Sequence, residues 1–172
     1  MTNIAVVILN YNGEKLLPQF LPSVLKFSAG CDTYVADNCS TDNSISLLEK
    51  DFPSVRIIRL PANYGFCKGY NEALKKIETE IVILLNSDVE VTPGWTTPLH
   101  NLFQSDPQIA AVQPKILSYR ERKKFEYAGA GGGMIDVLGY PFCRGRIFEH
   151  IEEDLGQYDD TREIFWASGA CM

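Results

Sequence analysis

Apolar residues along this chain fall into short unbroken runs separated by stretches of helical spacing. Ile4–Leu9 and Ile81–Leu85 are two such runs, mostly branched and too short for helices. Runs of that kind fit strands buried on both faces of a parallel sheet. After the first, Leu16, Leu17, Phe20, Leu21, Val24 and Leu25 recur at helical spacing, with Pro18 in the first turn and Pro22 deeper, where a kink is expected. Thr33–Ala36 reads as a short strand. A helix through Ile45 and Leu48 follows, with Ser40 or Thr41 as its cap and Phe52-Pro53 at its end. Val55–Leu60 is a further strand, and Gly65–Lys76 reads as a helix through Ala73 and Leu74. Beyond Ile81–Leu85, Thr92 with Pro93 predicts a helix start, with Leu99, Leu102 and Phe103 on its apolar face. Ile109–Val112 and Lys115–Leu117 read as extended, broken by Pro114.

The alternation of strand and helix predicts right-handed βαβ units: an α/β chain with a mainly parallel sheet and helices on both faces. No internal repeat is visible. After Ser118 the character changes. Arg120–Lys124 is a charged run that reads as a solvated face, and Gly129–Gly133 reads as a mobile loop, the loosest point of a mobile segment from Tyr119 to Ile164. Ile151–Asp160 is acidic and expected to be exposed. The last segment, Ile164–Met172, is apolar and stops without a cap, as a truncated domain would. Ile164, Phe165 and Trp166 are then expected to form an exposed patch through which chains self-associate.

Composition narrows the classes. The 172 residues carry a net charge of −6, which argues against a nucleic-acid partner. No apolar segment is long enough to cross a membrane, and the N-terminus lacks the basic region and cleavage site of a signal peptide. Five cysteines without CxxC spacing indicate neither a disulfide framework nor a zinc site, and a reducing cytoplasm fits them best. His100 and His150 are isolated.

In a parallel sheet the loops that follow the strands share one edge, outside the carboxyl ends where ligands bind. Those loops hold Asn10-Tyr11-Asn12, Asp37-Asn38, Asn63 with Gly65, and Asn86-Ser87-Asp88. Each also serves as ordinary turn or cap chemistry, so it is their joint occurrence that points to a nucleoside diphosphate. Tyr11 offers a face for a base to stack on. Asp37 can accept hydrogen bonds from a base edge or from ribose hydroxyls. Asp88, beside the Asn86 amide and the Ser87 hydroxyl, offers hard oxygen ligands to a divalent cation that would hold the diphosphate.

Taken in order, Val7–Gly13, Asp37–Asp42, Asn63–Phe66 through Gly69-Tyr70-Asn71, and Leu85–Val89 resemble the motifs of family-2 glycosyltransferases, and within them the bacterial rhamnosyltransferase-like branch. The resemblance continues through Gly139–Phe142 and Arg144–Arg146 to Trp166–Met172. It implies a Rossmann-like GT-A fold over residues 1–172, with 1–117 as the nucleotide-sugar-binding half and 118–172 as the start of an incomplete acceptor-side half. It implies Mg2+ or Mn2+, with the nucleotide-binding aspartate at Asp37, Asn71 in the nucleotide-binding set and the last aspartate of the family's Asp-x-Asp motif at Asp88. Asn86 departs from that motif and removes one charge.

The activity implied is inverting transfer from a dTDP- or UDP-sugar to a saccharide or lipid-linked acceptor in cell-surface polysaccharide synthesis. The general base would lie downstream of Met172. Location would be cytoplasmic, at the inner face of the membrane if the complete protein associates with it peripherally. A non-catalytic nucleotide-sugar-binding module is the alternative. A sugar nucleotidyltransferase ranks lower, since Asn-Tyr-Asn-Gly stands where it would carry a glycine-rich loop and a basic residue. A flavodoxin-like or receiver domain does not account for Asn63–Asn71.

Overall fold

The structure, a computed structural model, describes residues 4–172, so Met1-Thr2-Asn3 lie outside the described residues. The chain divides into two compact units, one up to Pro98 and one over Leu99–Met172.

The first unit contains β1 (Ile4–Asn10), α1 (Leu17–Phe27), β2 (Asp32–Asp37), α2 (Ser44–Asp51), β3 (Arg56–Arg59), α3 (Gly65–Leu74) and β4 (Ile81–Asn86). The strands form one parallel sheet in the order β3-β2-β1-β4. The chain steps outward from β1 to β3, then crosses back to place β4 on the other side of β1. Right-handed crossovers therefore put α1 and α2 on one face and α3 on the other. On the α3 face, Tyr70 and Ala73 pack with Ala5, Val7, Ala36, Ile58 and Leu60. Val6, Ile8 and Val35 point to the opposite face and are buried, as are Leu17, Phe20, Leu21 and Val24 of α1 and Leu48 of α2. β1 is thus covered on both sides, which is why its apolar run is continuous.

β4 differs from its expected burial. Ile83 and Leu85 are buried, but Val82 and Leu84 only partly, because β4 is the edge strand of this sheet, paired with β1 alone. The cap of α2 also differs. Asn43, not Ser40 or Thr41, occupies the cap position, because both of those side chains are taken up by the loop after β1. The following helix, α4 (Thr96–Ser105), begins later than Thr92-Pro93 predicts. Thr92–Trp95 forms a turn instead, closed by Trp95 N–H on the Thr92 carbonyl, with Gly94 at φ +74°. Leu99, Leu102 and Phe103 are only half-buried.

The second unit is built differently. Ile109–Val112 and Lys115–Leu117, expected as extended, form no strand of the parallel sheet. Ile116 bonds within its own unit, to Ala130 O and from Glu126 N, and Leu117 makes a single bridge to Phe125. Both segments belong to the second compact unit, Leu99–Met172. Four short strands, β5 (Gly133–Ile135), β6 (Pro141–Cys143), β7 (Arg146–Ile147) and β8 (His150–Ile151), form an antiparallel meander. Phe125, Ala130 and Cys143 make its core, packed by Ile151, Tyr158 and Trp166. Burial pushes the Cys171 thiol up to about 12, and all five cysteines are free.

The glycine run is not a loose loop. Gly131 N–H bonds to Arg144 O, Gly133 N–H bonds to Trp166 O, and Ala130 is fully buried. A Cβ on Gly133 would meet Trp166 Cδ2 at 2.1 Å and the Trp166 carbonyl at 2.5 Å; one on Gly132 would meet Ile164 at 2.7 Å. These glycines are small because other groups fill the space. They also supply the cover that Ile164 and Trp166 were expected to lack, so both are half-buried and Phe165 alone of the three is exposed. Trp166 Nε1 donates to Met134 O at 3.0 Å. Gly133→Ala should therefore destabilise the protein by about 1–3 kcal/mol through overpacking. Denaturant titration checks this; a midpoint unchanged from the parent would contradict the packing described.

Candidate functional site

β1, β2 and β4 end at the same edge of the sheet. Asn10 pairs in register with Asp37, and Leu9 with Asn86. Because β1 leads to β2 on one side while β4 lies on the other, the crevice beyond β1 and β4 is a topological switch point, where ligands of open α/β sheets bind.

A buried hydrogen-bond network holds this edge. Asp37 is 4% exposed and Asn10 fully buried. Asp37 Oδ1 accepts from Asn10 Nδ2 at 3.0 Å and from Ser40 Oγ at 2.6 Å, while Oδ2 accepts from Ser40 N at 2.9 Å. Ser40 Oγ in turn accepts from Asn12 N at 2.9 Å and Asn10 Nδ2 at 3.2 Å. Asn12, at φ +52°, turns its Oδ1 to Thr41 N at 2.8 Å. Further out, Glu14 N donates to Asp42 Oδ2 at 3.0 Å, and Glu14 accepts from Asn43 N and Nδ2. The loops after β1 and β2 are in this way zipped together.

Burial alone would raise the Asp42 carboxyl, but hydrogen bonds from Ser44 Oγ and from the Glu14 and Ser44 amides outweigh it and hold Asp42 below the usual carboxylate range. A depressed folded-state value means the tie is intact at neutral pH. Its contribution is lost as the pH falls from about 3.8 through the lower folded value.

The loop after β3 joins through Asn38. Its Nδ2 donates to Asn63 Oδ1 and to Gly65 O, both at 3.0 Å, and its Oδ1 accepts from Tyr64 N at 2.9 Å. Asn63 Oδ1 also accepts from Gly65 N at 2.9 Å, and Gly65 takes φ +70°.

The residues singled out in the sequence therefore fall into two sets. Asn10, Asp37, Asn38 and Asn63 brace the loops. Tyr11, half exposed, with Asn12, Ser87 and Asp88, stands on the loops themselves; Asn86 is the last residue of β4, and Asp88 is exposed on the turn that follows it. Asn71 lies exposed on the flank of α3, outside the bonded network. The sequence reading gave Ser40, Thr41, Asp42 and Glu14 no place in the site. The signal was present in Asp37-x-x-Ser40, where a serine three residues after an aspartate can return its amide and hydroxyl to that carboxylate.

The chain belongs to glycosyl transferase family 2, whose model matches residues 5–163. It is 27% identical over 97% of its length to an N-acetylglucosaminyl-diphospho-decaprenol L-rhamnosyltransferase of Mycobacterium tuberculosis, and spans 59% of that relative. Among solved structures, it resembles a mannosyltransferase from Pyrobaculum calidifontis in complex with GDP-Man and Mn2+. The TM-score is 0.59 at 20% identity, covering 70% of this chain and 37% of that one. It also resembles S. aureus TarS in complex with UDP-GlcNAc, with TM-score 0.54 at 22% identity over 67% of this chain and 38% of that one. These likenesses show the GT-A fold.

Among the described residues, no group of three or more His, Cys, Asp or Glu side chains converges to cage an ion. Asp88, with the Asn86 amide and Ser87 hydroxyl beside it, is a donor set of another kind. Hard cations of the Mg2+ type are often held by one or two carboxylates and completed by substrate phosphates, and the residues present fit that mode.

Asn38→Ala should cost about 2–3 kcal/mol, since three hydrogen bonds of a buried amide are lost together. Equilibrium unfolding measures it. A loss below about 0.5 kcal/mol, the level of an ordinary surface substitution, would show that the clamp does not hold the loop.

Proposed function

We propose that this chain is the donor-binding part of an inverting glycosyltransferase, moving a sugar from a dTDP- or UDP-sugar to a saccharide or lipid-linked acceptor in cell-surface polysaccharide synthesis. The observation that carries the reading is the crevice beyond β1 and β4. There a buried, braced carboxylate at Asp37 and an exposed one at Asp88 share one edge, in a chain of this family. Tyr11 would stack on the base, Asp37 would meet the nucleoside, and Asn12, Asn86 and Ser87 would line the path of the diphosphate. Asn10, Asn38, Asn63 and Gly65 would act by holding these loops, and Asn71 would lie at the margin of the site. The unit up to Pro98 would take the donor, and the second unit would begin the acceptor side.

Asp88 would hold a divalent ion, Mg2+ or Mn2+. When bound, that ion offsets the charge that builds on the leaving diphosphate. Inversion needs a base within reach of the acceptor hydroxyl. In the second unit, Asp154 and Asp159 both pair with Lys115, Asp160 with Arg144, and Glu152 accepts from Tyr158. Asp154 and Asp160 are held below the usual carboxylate range, chiefly by Lys115 and Arg144 respectively. Asp154 and Asp160, tied in this way, are poor bases, and we assign the base to residues downstream of Met172 on the resemblance to the family. The complete protein would work in the cytoplasm, beside the membrane that carries a lipid-linked acceptor. Among the described residues, no helix is long and apolar enough to cross a membrane.

Calorimetry with UDP and dTDP, with and without Mn2+, tests the site. The parent should bind more tightly with the ion. Asp88→Ala should weaken that binding by about tenfold or more, the loss expected for one charge-assisted contact, and abolish its dependence on the ion. Unchanged, ion-dependent binding by the variant would sink the role given to Asp88. Transfer assayed with one donor and acceptor should be absent from these 172 residues and present in a longer chain. Transfer by the 172 residues alone would place the base among them.

A further inference from the structure

Asp88 is the one carboxylate of Asn86-Ser87-Asp88, so no second carboxylate of that tripeptide helps to orient an ion. Ions of the Mg2+ type demand near-ideal octahedral geometry. Placing the Asp88 side chain therefore falls to the backbone of its turn. β4 is poorly suited to hold that turn by itself. It is an edge strand paired with β1 alone, and Leu9 with Asn86 is the last pair of its register.

Two side chains from helices make up for this. Where the turn begins, Tyr70 of α3 donates its hydroxyl to the Leu85 carbonyl at 3.0 Å. Leu85 is fully buried, so that carbonyl must be satisfied within the protein. Where the turn ends, the buried Val91 donates its N–H to Ser23 Oγ of α1 at 3.2 Å. Ser23 Oγ donates in turn to the Phe20 carbonyl at 2.8 Å, which fixes the hydroxyl. Tyr70 is fixed as well. It is 3% exposed, packs with Ala5, Val7 and Ala36, and meets the Phe66 ring edge to face with centroids 5.0 Å apart.

We propose that Tyr70 and Ser23 are positioning residues for the divalent ion: by holding the Leu85 carbonyl and the Val91 amide they clamp the two ends of the turn and set where Asp88 presents its carboxylate. This rests on the reading of Asp88 as the ion's ligand. A buried tyrosine hydroxyl usually finds some partner, so the bond to Leu85 alone would be ordinary core satisfaction. The pair of bonds is more specific. They come from helices on opposite faces of the sheet and bracket the same stretch. Of the five residues between Leu85 and Val91, Asp88 is the middle one. Each tie acts through this backbone and not by touching the ion.

The test is a calorimetric titration of Mn2+ into the parent, Tyr70→Phe and Ser23→Ala, each saturated with UDP or dTDP. Tyr70→Phe keeps the ring and loses only the hydroxyl. Ser23→Ala loses only the hydroxyl at a position where alanine favours the helix. Affinity for Mn2+ should fall about threefold to tenfold in each variant. Partners bonded directly to a metal ligand are worth about 10–100-fold, and these act one step further out. Nucleotide affinity in EDTA should stay at the parent's value. In an Asp88→Ala background, either substitution should change nucleotide affinity by less than about twofold, because the tie then has no ligand to place. A purely structural role would lower the unfolding midpoint and leave Mn2+ affinity unchanged, so either variant at the parent's Mn2+ affinity overturns the clamp. An equal loss in EDTA, or an equal loss in the Asp88→Ala background, overturns it too. If Tyr70→Phe does not fold, Ser23→Ala decides by the same criteria. A parent whose nucleotide binding is indifferent to Mn2+ overturns the reading of Asp88 and the clamp together. A parent that responds to Mn2+ beside unchanged variants overturns the clamp alone.

Discussion

A carboxylate buried without a cation must be satisfied by neutral donors, and the first unit is organised around meeting that demand at Asp37. Its bonds come from Asn10 and from both the amide and the hydroxyl of Ser40. Each supplier is then constrained in turn. Asn10 is fully buried and has no room above it: a Cβ on Gly13 would meet its Oδ1 at 2.0 Å, so glycine is required there. That same Oδ1 has no hydrogen-bond partner, a local cost that the network absorbs. The chain beyond Asp37 has to fold back so that Ser40 can reach, which places Cys39 at φ +63°. Such a backbone conformation is unfavourable for a residue with a side chain and persists only where surrounding bonds over-determine it.

Strand order puts this local network at the switch point of the sheet. With β4 inserted on the far side of β1, the braced Asn10–Asp37 pair lies beside the end of a strand from a different crossover. Two of the carboxylates at this edge, Asp37 and Asp88, differ in burial. Asp37 is enclosed and committed to the scaffold. Asp88 stands exposed on its turn. Asn38 extends the scaffold to the third loop by acting as donor twice and acceptor once, so that three separate loops behave as one surface.

What was legible in the sequence follows from the length of each signal. The four strands of the first unit were readable because their runs of apolar residues are compact and bounded by polar turns. Helix ends were less so. Ser40 and Thr41 look like caps, and Thr92-Pro93 looks like a helix start, because local hydrogen-bonding capacity says nothing about which partner wins. Tertiary partners from the loop after β1 took Ser40 and Thr41, and the turn at Gly94 delayed α4. The second unit was nearly illegible. Its strands span two or three residues, too few for an alternation to appear, and its glycines signify crowding by Trp166 and Ile164, not freedom. The candidate site was legible as a set of loops, since all loops after parallel strands share an edge. Its division into braces and exposed groups was not, because that depends on burial and on bonds between residues about 25–30 apart.

On the proposed reading, Asn86 in place of a carboxylate is consistent with the rest of the edge. A diphosphate approaching the crevice brings its own negative charge, and each exposed carboxylate there repels it unless an ion intervenes. Asp37 is shielded by its donors and lies within the sheet's edge, so its charge falls on groups already oriented toward it. Asp88 is then the single exposed carboxylate of Asn86-Ser87-Asp88, and one suffices for a hard ion whose remaining positions are taken by phosphate oxygens and water. A second carboxylate at position 86 would bind the ion more strongly in the absence of donor and would repel the diphosphate more. On this reading the amide would make ion and diphosphate each depend on the other for a full set of contacts. Binding of the two would then be coupled, and reciprocally so, as any linkage between two ligands must be.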